Sequence, residues 1–259
     1  MQTPQEIAFT RLLKIMDELR AQCPWDKKQT LESLRHLTIE ETYELSDAIM
    51  ENNMPELKKE LGDILLHIVF YAKIADEKKE FNITDVINSL CDKMITRHPH
   101  IYGDVKVENA EQVKQNWEKI KLNKEGNKTV LGGVPKGLPA LIKAERIQEK
   151  VRGVGFDWEN TEQVWQKVQE EMNELNAEII SKQSAEKTEE EFGDLLFALI
   201  NYSRFLNISP ETALEKANNK FIRRFNFVEE KIKEKGKRVT DSNLHEMEGF
   251  WNEAKKQGL

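Results

Sequence analysis

The sequence predicts an all-α protein made of two tandem four-helix-type bundles, and three observations predict it. With 33% charged and 39% hydrophobic residues but only 12 Gly and 7 Pro in 259 residues, the composition favours helices over a sandwich, a barrel or a disordered chain. Apolar residues recur three and four apart along most of the chain. The pattern also restarts halfway. "EETYEL" at 40–45 answers to "EEMNEL" at 170–175, "ELGDILL" at 60–66 to "EFGDLLF" at 191–197, "DKMITRH" at 92–98 to "NKFIRRF" at 219–225, and "QNWEKIK" at 115–121 to "GFWNEAK" at 249–255. Four blocks in one order mark an internal duplication.

The first helix carries apolar residues at 9, 12, 13, 16 and 19 and stops near "CPWD", where Pro24 forces Cys23 out of the helical region. A second runs from about Thr30 to Asn52. The break at "ENNMP" introduces a third, from Pro55 to about Lys79, since Pro suits a first helical turn. "NITDVINSLCDKMITR" is a fourth, capped by Thr84 or Asn82 and ended before Pro99. "NAEQVKQNWEKIKLN" is a further short helix, and "KEGNKTVLGGVPKGLP" is the densest Gly and Pro stretch, read as a linker. "LPALIKAERIQEKVRG" then opens the second copy as "FTRLLKIMDELR" opens the first. The expected domains are 1–122 and 139–259, joined by a linker at 123–138. Each bundle is small for its apolar stripes, which favours association without fixing its symmetry.

A formal charge of -7 argues against bulk nucleic-acid binding, which needs clustered Lys and Arg. Cys23 and Cys91 have no metal-ligand spacing and are too few for a disulfide framework, as in reduced cytoplasmic proteins. The N-terminal apolar pattern is interrupted by acids, unlike a signal peptide or membrane span, so a cytoplasmic location is expected.

The chemistry lies in the acids. On a helix, Glu41 and Glu44 share a face with Glu40 beside them, and Glu60 and Asp63 do likewise on the next helix, which Leu61, Ile64, Leu65, Ile68 and Val69 mark as largely buried. A short connection makes the two helices antiparallel neighbours, so four carboxylates converge. Such like charges need a cation. An all-oxygen donor set suits Mg²⁺ or Mn²⁺ better than zinc. His67 has Ala198 as its counterpart and is assigned a structural role. A single Glu-x-x-Glu is usually a solvated face, but the second copy repeats it, again followed by an acid pair around a glycine. Gly62 and Gly193 lower helix propensity by about 1 kcal/mol relative to Ala, and close helix approach at a site or tight packing would account for them. There is no P-loop, no Gly-x-Ser-x-Gly elbow and no Cys with an evident base. His98 and His100 in "RHPH" have no counterpart in the second copy and are read as loop or packing residues.

With these residues placed, the chain resembles the MazG family of nucleoside triphosphate pyrophosphohydrolases, whose signature is Glu-Glu-x-x-Glu followed by Glu-x-x-Asp. Glu40, Glu41 and Glu44 are followed after 15 residues by Glu60 and Asp63, and Glu170, Glu171 and Glu174 after 16 by Glu191 and Asp194. "CPWDKKQT", "RHPH", "VGFDW" and "KANNKFIRRF" add to the resemblance, which spans nearly the whole chain. It implies Mg²⁺-dependent hydrolysis of NTPs or dNTPs to monophosphate and pyrophosphate in a homodimer of helical bundles. It implies metal ligands at Glu41, Glu44, Glu60 and Asp63 and at Glu171, Glu174, Glu191 and Asp194. Glu40 or Glu170, beside these, is placed to orient or deprotonate the attacking water.

The triphosphate needs cations as well. Lys93 with Arg97, and Lys220 with Arg224, lie four apart on the fourth helix of each copy, and Lys167 and Lys187 are implied triphosphate contacts. Leu37 and Glu56 stand at the latter two places in the first copy. The C-terminal copy is therefore expected to be the main catalyst. Trp251, matching Trp117, is suited either to stack on a base or to fill a core. Two other readings stay open: a related all-α enzyme acting on dUTP or phosphoribosyl-ATP, and a non-enzymatic helical dimer that binds a partner protein.

Overall fold

The computed structural model describes residues 2–110, 112–113, 116–117, 120–121, 129–181 and 184–259. All regular structure among them is helical. The chain forms two compact units, Met1–Lys106 and Val107–Leu259. This division precedes the linker expected at 123–138, of which 123–128 lie outside the described residues, as do parts of the short helix expected at 109–123.

In the first unit, α1 spans Pro4–Gln22, α2 Leu31–Met50, α3 Met54–Glu77, α4 Ile83–Arg97 and α5 Pro99–Tyr102. Each of the first four starts on a side chain that satisfies orphan N–H groups. Thr3 and Thr30 form capping boxes with Glu6 and Ser33, and Asn53 caps α3. Asn82, rather than Thr84, caps α4, accepting from the N–H groups of Thr84 and Asp85. Helix α3 is the hub and packs against α1, α2 and α4. Met16, Leu34, Val69, Phe70 and Ile74 form the core, flanked by Leu12, Leu37, Leu66 and others. Arg20 closes one end: its guanidinium grips both Glu77 carboxylate oxygens, donates to the Gln29 carbonyl at 3.2 Å and lies over the Phe70 ring. The "CPWD" turn is thereby fastened to α3.

In the second unit, α6 spans Ala140–Arg152, α7 Thr161–Ser181, α8 Ala185–Phe205, α9 Pro210–Glu234 and α10 Leu244–Lys256. Helices α7 and α8 form the closest pair, as α2 and α3 do in the first unit, and α6 and α9 both contact α8. Val164, Val168, Ala198, Ile200, Val228, Ile232 and Ala254 are buried. The repeat seen in the sequence thus reappears as two helix pairs that each bring together the same two acid motifs.

The glycines depart from expectation. Among the described residues, a Cβ built on Gly62 or Gly193 meets nothing within 4 Å, so neither close helix approach nor tight packing there explains them. Both sit on exposed helix surface. Gly193→Ala is accordingly expected to stabilise the chain by about 0.5–1 kcal/mol, through helix propensity and a less flexible unfolded state. A loss of stability in urea titration would mean that something outside the described residues packs on that surface.

Candidate active site

The acids converge where two helices pack side by side. In the first unit Glu41 of α2 meets Glu60 and Asp63 of α3, each offering a carboxylate oxygen within 4.8 Å of the others; in the second, Glu171 of α7 meets Glu191 and Asp194 of α8 in the same way. Glu44 and Glu174 stand outside these groups but still repel them. Burial, then the charges of Asp63, Glu44 and Glu60, push the Glu41 carboxyl above its usual range. Burial, then Glu174, Asp194 and Glu171, do the same to Glu191.

The arrangement fits a cation. Glu60 is wholly buried, and with the cluster ionised its Oε2 has no hydrogen-bond partner. A buried carboxylate oxygen facing two further carboxylates is unfavourable unless a cation or a proton joins it. Protons and divalent ions therefore compete for the cluster. A raised carboxyl contributes stability below its unfolded pKa of about 4.3, and that contribution disappears as pH rises through the higher folded value. A bound cation reverses the sign by stabilising the ionised form. Scanning calorimetry with and without Mg²⁺ should give a larger metal-dependent rise in Tm at pH 7.5 than at pH 5. Equal rises at the two pH values would locate metal binding elsewhere.

Each cluster also carries one lysine, from a different helix in each unit. Lys167 of α7 lies 2.7 Å from both Glu170 Oε1 and Glu171 Oε1, and Glu171 is only 6% exposed. Hydrogen bonds to Glu170 and then Glu171 hold the Lys167 ammonium above its usual pKa. In the first unit Lys59 of α3 lies 2.8 Å from both Glu56 and the buried Glu60. The sequence comparison, finding Leu37 and Glu56 at the aligned positions, missed this cation. Its position next to Glu60 and three after Glu56 was the available signal. Leu37 instead packs on the core.

The other expected site residues are less close-knit. Lys93, Lys187 and Lys220 are exposed, as are Glu40 and Glu170. Arg224 donates from Nε to the Leu259 oxygen at 2.7 Å and lies over the Trp251 ring, which packs on Phe221 with centroids 5.0 Å apart. Trp251 is thus held in an α9–α10 aromatic cluster. His67 is buried, its Nδ1 2.6 Å from Thr38 Oγ1, which is also 2.5 Å from the Tyr71 hydroxyl. It lies outside the carboxylate group, in a polar brace between α2 and α3. His98 Nδ1 lies 2.6 Å from the Met94 carbonyl at the end of α4.

Among the described residues the chain is all-helical and twice sets Glu-Glu-x-x-Glu against Glu-x-x-Asp across a helix pair, which defines an all-α protein with two carboxylate clusters able to hold a cation. The MazG nucleotide pyrophosphohydrolase domain is matched twice, over residues 29–102 and 159–228. The chain belongs to the MazG family. It is 45% identical over 253 residues to the nucleoside triphosphate pyrophosphohydrolase/pyrophosphatase MazG of Thermotoga maritima, covering 96% of each chain. It is 42% identical over 258 residues to the nucleoside triphosphate pyrophosphohydrolase of Escherichia coli K12, covering 96% of this chain and 97% of that one. A solved mazG-related protein from Thermotoga maritima aligns over 43% of this chain and 97% of its own, with 26% identity and a TM-score of 0.39. No helix among the described residues is long and apolar enough to cross a membrane.

Proposed function

We propose that the chain is a divalent-cation-dependent pyrophosphohydrolase that cleaves NTPs or dNTPs to the monophosphate and pyrophosphate, chiefly at the C-terminal cluster. The observation that carries this reading is the three-carboxylate group of Glu171, Glu191 and Asp194 with Lys167 upon it, in a chain of the MazG family. Glu171, Glu174, Glu191 and Asp194 would hold Mg²⁺, with Mn²⁺ an alternative, and Glu41, Glu44, Glu60 and Asp63 would do so in the first unit. Bound there, such an ion neutralises non-bridging phosphate oxygens and lowers the pKa of water.

The remaining steps use the chain's own groups. Lys167, Lys187, Lys220 and Arg224 supply positive charge to the triphosphate. The phosphates compete for Lys167, and its departure from Glu170 frees that carboxylate to take a proton. Water oxygen bonds to the α-phosphorus as Glu170 accepts its proton, the bond from that phosphorus to the bridging oxygen breaks, and the electron pair leaves with pyrophosphate. Trp251 steadies Arg224 through its ring. We further place the protein in the cytoplasm as a homodimer, a state supported by apolar side chains left exposed on α4, among them Ile87, Leu90, Met94 and Ile95.

Product analysis by ion exchange tests the reaction, using the eight common NTPs and dNTPs with Mg²⁺. Monophosphate with pyrophosphate is expected for at least some of them. Diphosphate with orthophosphate, or no turnover of any substrate, would sink the reading; turnover confined to dUTP would narrow it.

A further inference from the structure

Helix α10 packs on α9 as the second arm of a helical hairpin, and the two ends of that hairpin are closed differently. At the loop end Glu246, in the first turn of α10, lies 3.1 Å from both Lys235 and Lys237, and Lys235 also covers the Phe250 ring. Hydrogen bonds from Lys237 and then Lys235 hold the Glu246 carboxyl below its usual range. With both lysines exposed, such pairs contribute little to stability. The open end has a single polar contact of another kind: Arg224 Nε donates to the main-chain oxygen of Leu259 at 2.7 Å.

The cause of that contact is local. Gly258 takes the left-handed conformation, φ +81°, so that its N–H donates to the Lys255 carbonyl and the Leu259 N–H to the Ala254 carbonyl, each at 3.2 Å. These paired bonds are those of a glycine-terminated helix. Ala254 is wholly buried, which gives the turn a fixed origin. The turn then carries the Leu259 oxygen back to α9. A Cβ at position 258 would meet nothing within 4 Å among the described residues, so the demand for glycine there is conformational.

A basic side chain beside a helix end usually serves the open carbonyls. Here the carbonyls of Glu253, Ala254 and Lys255 already accept from Gln257, Leu259 and Gly258. Arg224 instead bonds beyond them, through Nε alone. The guanidinium is half-buried, and its carbon lies 5.7 Å from the centroid of the Trp251 ring, itself packed on Phe221. Nε fixes the direction of the group and the ring fixes its plane. Among the described residues the two Nη groups make no hydrogen bond. Four N–H donors are therefore held as a planar fork, a geometry that matches two oxygens of one phosphate. An unanchored arginine surrenders its rotamer freedom when it binds; this one has surrendered it on folding. Lys220, one turn earlier and exposed, brings charge without a fixed geometry.

We infer that Leu259 is a positioning residue: its main-chain oxygen, fixed by the Gly258 turn, sets the Arg224 fork to receive the phosphates of the bound nucleotide. The inference rests on the pyrophosphohydrolase reading for its ligand. It adds the last turn of α10 to the parts of the chain on which triphosphate affinity depends.

The test is titration calorimetry of the full chain in Mg²⁺, with inorganic tripolyphosphate and α,β-methylene nucleoside triphosphates as probes. Gly258→Ile places a β-branched residue where φ is positive and displaces the turn, whereas Gly258→Asn tolerates that conformation. Gly258→Ile should raise Kd for tripolyphosphate about tenfold, the penalty of ordering one long side chain on binding, and Gly258→Asn should keep the parent value. In an Arg224→Ala background Gly258→Ile should add nothing, since its effect passes through the missing guanidinium. Position 258 is exposed, so equal thermal unfolding of Gly258→Ile and the parent is expected. An unchanged Kd in Gly258→Ile overturns the inference. So does a lower Kd, which would make the Leu259 oxygen a competitor of the phosphates for Nε. The same further rise in the Arg224→Ala background would mean that α10 loosens generally, and a rise confined to the nucleotide probes would assign the effect to Trp251; either result overturns it. Turnover, measured separately, tells the two readings apart. Tripolyphosphate affinity that depends on Gly258 through Arg224, without release of monophosphate and pyrophosphate from any nucleotide, retains the positioning role and sinks the reaction. Hydrolysis with a Kd indifferent to Gly258→Ile does the reverse, and a parent that binds neither probe overturns both.

Discussion

Glu171→Gln should reduce NTP hydrolysis at least about a hundredfold, more than the 10- to 100-fold typical of losing a residue that merely supports a metal ligand, whereas Glu41→Gln should leave most of it. The substitution keeps shape and burial, so Glu171, at 6% exposure, is replaced without a void. What it removes is one of three carboxylates within 4.8 Å and the charge that holds Lys167 at 2.7 Å. Both losses act on the same place. A cation is held by one fewer anionic oxygen, and Lys167 retains only Glu170 as its partner. The expected pattern is a fall in kcat with pyrophosphate release suppressed for every nucleotide, a metal-free Tm no lower than the parent's, and a smaller metal-dependent rise. Should Glu41→Gln abolish turnover while Glu171→Gln does not, the two units exchange roles.

Helix positions were legible because their causes are local. The Asn82 cap and the stop at Cys23 act within a turn of the residues they affect, and the helix expected from about Thr30 starts on that residue's own cap. The acid clusters were legible for a related reason: a three- or four-residue spacing fixes a helix face, and a short connection fixes which faces meet. The parts that were not legible depend on contacts across many residues. Arg204 and Asp157 are 47 residues apart, so no spacing rule reveals that "VGFDW" is pinned on α8 or that Gln148 and Asn201 share a cavity. Arg224 reads as a phosphate cation from its spacing to Lys220, and no spacing rule reveals that its Nε also donates to the Leu259 oxygen 35 residues on. The Gly62 and Gly193 readings failed because the repeat of a glycine implies a constraint, yet the described residues supply none within 4 Å of a Cβ at either place. Lys59 was overlooked because alignment to Lys167 searched α2 for a cation that the fold supplies from α3.

Glu60→Gln should change sign with metal, and this separates a cation site from a plain ion pair. In the absence of divalent ions the native Glu60 brings a buried charge against Glu41 and Asp63, and its Oε2 has no partner. A glutamine at this position still accepts from Lys59 through its carbonyl oxygen, and its NH₂ can donate to the neighbouring carboxylates. The metal-free first unit should therefore unfold at a higher temperature than the parent. With Mg²⁺ the order should reverse. An ion present at a hundred times its Kd stabilises the parent by about 2.7 kcal/mol, equivalent to roughly 4–8 °C per kcal/mol in a unit of this size, and the variant forfeits most of that gain. Calorimetry is best done in a Glu171→Gln background, where the remaining metal effect reports on the N-terminal cluster. A metal-free Tm below that of the parent would mean that the Lys59 ion pair alone accounts for Glu60, because only then does removing the charge cost more than the repulsion it relieves.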